Sequence, residues 1–133
     1  MTIRNEKEEL NRHVSRTSAV ICVYQYLIWP RDAEILLEDA EEADIRSDEY
    51  MGRVVDTAVR EKDRYIGYIN QVLEHWSFDR LGLIEQAILL CGCAEFDLKT
   101  VEAPVIIDEY IRIARKYGDK DSHKLINGVL DRI

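Results

Sequence analysis

The sequence predicts an all-α protein. Three observations carry that expectation: only two prolines and six glycines occur in 133 residues, apolar residues recur at helical spacing along nearly the whole chain, and no strictly alternating stretch is long enough for a strand. Both prolines, Pro30 and Pro104, stand where a helix should stop or begin rather than inside one.

The first helix is expected from about Leu10 to Ile28, with Val14, Ala19, Val20, Val23, Tyr24 and Leu27 on its inner face. Trp29-Pro30 ends it, because proline disfavours a helical residue before it. A short acidic helix follows over roughly 32–42, with Ile35, Leu36 and Ala40 as its apolar edge. Ser47, followed by Asp48 and Glu49, reads as the next helix start, with acids at the positive end of the helix dipole. From there to about Trp76, the stripe Val54, Val55, Ala58, Val59, Tyr65, Ile66 and Ile69 fits either one helix of ~40 Å or two helices broken near residues 60–63. Asp79 is expected to cap a helix over 80–96 that is apolar on nearly all sides and therefore central. Pro104 opens the next helix as a first-turn residue, and Gly118 reads as its left-handed stop. Asp121 and Ser122 are expected caps of the last helix, whose inner stripe is Leu125, Ile126, Val129, Leu130 and Ile133. Asn127-Gly128 sits inside that stripe. A glycine there costs about 1 kcal/mol relative to alanine, so a close packing approach is expected at its bare backbone.

Composition narrows the function classes. A chain of 133 residues is about one domain and needs no disulfide or metal staple. Cys22, Cys91 and Cys93 are an odd number in apolar helical contexts and read as small buried hydrophobes of a reduced cytoplasm. No metal is expected, since positions two apart on a helix diverge and Cys91 and Cys93 cannot easily share an ion. No apolar run approaches the ~20 residues of a membrane span. Asp121, Ser122 and His123 radiate from a helix start and cannot align as a triad. The acidic stretch Glu38, Asp39, Glu41, Glu42 and Asp44 lacks a calcium-loop pattern, and no glycine-rich phosphate loop occurs. The expectation is a protein without catalytic activity or cofactor.

The net charge of -8 argues on its face against a nucleic-acid partner. Its distribution reverses that. Residues 31–50 hold two arginines against nine carboxylates, a net -7, whereas residues 112–132 hold six basic side chains against three acidic ones, a net +3. Screening over about 8 Å at physiological salt lets such patches act separately.

The segment from Pro104 to Asp131 carries Pro104, Val105, Ile107, Asp108, Glu109, Ala114, Arg115, Tyr117, Gly118, Ser122, Lys124, Asn127, Gly128, Val129 and Leu130 in a pattern that resembles the NusB family of transcription antitermination factors. Two further blocks, Trp76 to Phe96 and Arg16 to Leu27, are similar to that family in the same order. The resemblance implies the NusB fold, two small helical bundles packed across one another, here about 10–75 and 79–133 of a single domain. It implies a cytoplasmic factor that binds boxA-like single-stranded RNA together with the ribosomal protein NusE, acting on the transcribing RNA polymerase, with a homodimer as a further association. The alternative is a NusB-like interaction or dimerisation module with weakened or lost RNA binding.

Arg12, His13 and Arg16 lie at the start of the first helix, where spacing puts Arg12 and Arg16 on one face. The resemblance makes that end an RNA contact. Lys116, Lys120, His123 and Lys124 are expected to complete a cationic groove around the Gly118 turn, with Asp121 capping the helix or orienting a base. Tyr24 and Glu85 match family positions and are the candidates for the NusE-facing side. The chain departs from the family at Val14 and Leu90, where arginine is frequent, at Ala94, where tyrosine is, and at Leu125, where an aromatic is usual. Losing that aromatic removes a stacking platform worth ~1 to 3 kcal/mol per base, and RNA binding by the chain alone is expected to be weak.

Overall fold

The structure is a computed structural model that describes residues 6–43, 45 and 48–133, with side chains from residue 11 onward. Among the described residues it is entirely helical: α1 (Glu6–Ile28), α2 (Ala33–Glu42), α3 (Glu49–Arg60), α4 (Lys62–Val72), a single 3-10 turn (Phe78–Arg80), α5 (Leu83–Leu98), α6 (Ala103–Tyr117) and α7 (Ser122–Arg132). Helix α5 is the hub. It packs against α1, α3, α4, α6 and α7, and its ten consecutive residues Gln86 to Glu95 are all buried. Each buried Leu or Ile there contributes about 1.5–3 kcal/mol relative to exposure. The expected central position of this helix follows directly from its lack of a polar face.

Several expected boundaries hold and others move. Trp29-Pro30 stops α1 at Ile28, and Pro104 sits in the first turn of α6. The open question over residues 47–76 resolves as two helices, because Glu61 leaves the helical well at φ -101°, ψ 13°. Ser47, expected as a helix start, lies outside the described residues, as does Asp44. Asp48 is the cap of α3, its carboxylate accepting from the Met51 N–H at 2.8 Å. Asp79 does not cap α5. It lies within the 3-10 turn, paired with the Ser77 hydroxyl, while Leu81 and Gly82 are extended. The start of α5 is held instead by Glu85, whose carboxylate reaches back to accept from the Gly82 N–H at 3.0 Å.

Two glycines depart from their expected roles. Gly118 ends α6 in extended backbone, at φ -86°, rather than left-handed. It must be glycine for another reason: a Cβ there would stand 2.5 Å from the Ser122 side chain and 2.7 Å from the Ala114 carbonyl oxygen. Gly128 is exposed, and a Cβ on it would meet nothing within 4 Å. The close helix approach lies at Gly92, where a Cβ would stand 3.0 Å from a Leu130 methyl. The tight crossing is set by α5 rather than by α7's own stripe, and the uniform apolarity of α5 hides which of its positions faces α7.

All three cysteines are free and buried. Burial pushes the Cys22 thiol up to about 11 and the Cys93 thiol up to about 12, which leaves both without thiolate character near neutrality.

Candidate functional site

The basic residues of α1 divide according to which way each points. Arg12 and Arg16 do share a face, but that face packs on α3: their guanidinium carbons stand 4.1 Å and 5.7 Å from the centre of the Tyr50 ring. Arg16 is buried, 4% exposed, and tied chiefly to one carboxylate. Its Nε donates to Glu95 Oε1 at 2.6 Å and its Nη2 to Glu95 Oε2 at 3.1 Å. Glu95 itself is 0% exposed and also accepts from the Tyr50 hydroxyl at 2.6 Å and the Tyr110 hydroxyl at 2.8 Å. Burial works against the Arg16 charge, yet the hydrogen bonds and field of Glu95 more than offset it and hold the guanidinium's pKa above its ordinary value. A desolvated guanidinium held by a bidentate carboxylate offers little surface to a groove. His13, half-buried, hydrogen-bonds through Nδ1 to Glu109 on α6 at 3.0 Å. Arg12, partly exposed over Tyr50, is the α1 cation of this cluster best placed to meet a ligand.

The second expected cluster forms at the α6–α7 turn. Lys116, Lys120, Asp121 and Lys124 are exposed and His123 is half-buried. Asp121 makes no capping hydrogen bond from its side chain. Asp119 takes that role: its Oδ1 accepts from the backbone N–H of Asp121 at 2.9 Å and of Ser122 at 3.1 Å, while the Ser122 hydroxyl oxygen accepts from the Asp119 N–H at 3.0 Å. The donated Asp121 N–H, helped by Ser122 and opposed by slight burial, holds the Asp119 carboxyl below the usual aspartate range. A carboxyl depressed in the folded state stabilises above its unfolded pKa and loses that contribution as pH falls through the folded one. Amide-exchange protection in the first turn of α7 is therefore expected to drop in acid, below the ordinary aspartate range, and Asp119→Asn is expected to remove that pH dependence. Protection unchanged by acid would show that the turn is held elsewhere.

The two clusters meet α6 at different heights. His13 meets α6 at Glu109, seven residues before Lys116, a separation of roughly 10 Å along the helix axis. What the turn adjoins instead is a cleft of about 370 Å³ lined by Tyr24, Leu83, Glu85, Tyr117, Asp119 and Ser122. It brings together Tyr24 and Glu85, which lie 61 positions apart in sequence. Tyr24 packs against the core with part of its surface and lines this cleft with the rest. The Glu95 centre is not among the residues the sequence singles out, although a signal for it exists: a carboxylate near the end of a uniformly apolar helix must find partners or leave the core.

The NusB family model, described as NusB family, matches residues 12–133. The transcription antitermination protein NusB of Aquifex aeolicus is 34% identical over 127 residues, covering 92% of this chain and 86% of that protein. The protein of the same description from a Nitratiruptor species is 33% identical over 125 residues, covering 92% and 90%. Among solved structures, a chain in the crystal structure of the antitermination factors NusB and NusE in complex with double-stranded RNA superposes with a TM-score of 0.79 at 32% identity, covering 90% of this chain and 92% of that one.

Proposed function

The chain belongs to the NusB family, and on that premise we propose that it is a transcription antitermination factor that binds boxA-like RNA together with the ribosomal protein NusE on transcribing RNA polymerase. The observation that carries this is the likeness over nine-tenths of both chains to a component of a NusB–NusE–RNA complex. Its role is to hold partners rather than to catalyse, and its site of action is the cytoplasm. Among the described residues no helix is long and apolar enough to cross a membrane.

The RNA-facing residues are Arg12 and His13 at the start of α1, and Lys116, Lys120, Asp121, His123 and Lys124 around the α6–α7 turn. The basic residues among them supply the cationic side chains that a single strand needs along its backbone, and Asp121 is the one carboxylate there, suited to orienting a base rather than meeting a phosphate. Arg16 supports them from beneath, tying α1 to α5. The Tyr24 and Glu85 cleft faces NusE, and the exposed lysines beside it place RNA and protein on adjoining surfaces.

Titrating NusE into the protein by calorimetry, with and without boxA RNA, is expected to give tighter binding when RNA is present. RNA must then tighten with NusE by the same factor, since coupling is reciprocal. No heat in either titration would sink the reading. Arg12→Glu is expected to weaken RNA binding and to lower the salt slope by roughly one counterion, the share of one phosphate contact. A slope equal to the parent's would remove Arg12 from the RNA path.

A further inference from the structure

Gly128 is a helix-interior glycine that the fold does not require. It is exposed, nothing lies within 4 Å of where its Cβ would be, and glycine in an exposed helix interior weakens the helix relative to alanine. Lys124 and Arg132 lie four residues before and four after it, which puts a cation one turn away on each side of the bare backbone on the same face. Gly128 and Leu125 floor a groove of about 300 Å³ whose facing wall is the segment from Leu73 to Trp76 that follows α4. Trp76 is 60% exposed in that wall, with His75 beside it.

We propose that this groove holds a nucleotide of the single-stranded RNA, its base stacked on the Trp76 indole and its backbone laid against Gly128 between Lys124 and Arg132. This rests on the RNA-binding reading and extends its surface, because Lys124 belongs to both. A single strand needs a flat apolar face for an unpaired base and cations for the phosphates flanking it. An apolar peptide would use the indole and leave both cations without purpose. Both cations are already near carboxylates, Arg132 at 3.6 Å from Glu74 and Lys124 at 3.9 Å from Asp121, but all four side chains are more than half exposed. Such solvated pairs are weak, so a phosphate exchanges with the carboxylate at little cost.

The chain has two tryptophans, and replacing the exposed Trp29 by phenylalanine leaves Trp76 as the single reporter. In that background a short single-stranded boxA-type oligoribonucleotide is expected to quench the indole fluorescence, and the same sequence as a duplex, whose bases cannot splay, is expected to quench it far less. Trp76→Ala should lower single-strand affinity about tenfold. Gly128→Leu fills the groove from its floor and is expected to do the same while keeping a melting midpoint at least as high as the parent's, which separates lost binding from lost fold. If the parent binds the strand and both variants bind it equally well, the groove is not an RNA site and the wider reading stands. If Trp76→Ala reduces only the heat of NusE binding, the groove holds protein and the proposal falls. If the parent binds no RNA even with NusE present, both readings fall together.

Discussion

Glu95→Ala is expected to destabilise the protein by about 3 to 5 kcal/mol, the usual consequence of removing one partner from a buried ion pair. The carboxylate is the acceptor at which Arg16 of α1, Tyr50 of α3 and Tyr110 of α6 converge on α5. Its loss strands a desolvated guanidinium and the buried Tyr110 hydroxyl, and takes the acceptor from the half-buried Tyr50 hydroxyl. Arg16→Met with Glu95→Leu is expected to recover much of the loss, because the charge that most needs a partner has gone. The two tyrosine hydroxyls remain the residual cost, on the order of 1–3 kcal/mol for each donor left unsatisfied. Denaturant midpoints of the two single variants and the double close a cycle that measures the coupling. A Glu95→Ala midpoint within 1 kcal/mol of the parent would mean that water enters and solvates the centre. The same centre decides how arginine reversals are read: Arg16→Glu sets two carboxylates against each other in the core and abolishes RNA binding by unfolding, whereas Arg12→Glu tests a surface.

Gly118→Val is expected to cost on the order of 1 to 3 kcal/mol or more by overpacking, and to weaken NusE binding as well. Even the first added carbon stands 2.5 Å from Ser122 and 2.7 Å from the Ala114 carbonyl. The second of these is helical backbone and cannot swing aside. The turn must open, which breaks the reciprocal Asp119–Ser122 bonds and shifts the wall of the cleft that Tyr24 and Glu85 share. Gly128→Ala is the contrasting control, neutral or stabilising by up to about 1 kcal/mol, because an exposed helix interior gains from the methyl. Equal thermal midpoints for Gly118→Val and the parent would show that the turn relaxes freely.

The helices and their order were legible in the residues themselves. Apolar spacing locates α1, α2, α6 and α7, Trp29-Pro30 stops the first, Pro104 starts the sixth, and the absence of a polar face on α5 predicts its burial at the hub. Three blocks of matching residues were sufficient to mark the family. These are local properties: a helix repeats every 3.6 residues, and that repeat is written in any window of a dozen positions. What only the tertiary structure decided was which way equivalent-looking groups face. Arg12 and Arg16 are alike in sequence, yet one lies partly exposed over Tyr50 and the other is buried on Glu95, 79 positions away. Gly92 and Gly128 are both helix-interior glycines, yet one accommodates Leu130 and the other floors an open groove. Charge, size and period are carried by single residues and their near neighbours. The partner that buries a cation or crowds a glycine comes from a distant segment, and only the packing of helices determines which segment that is.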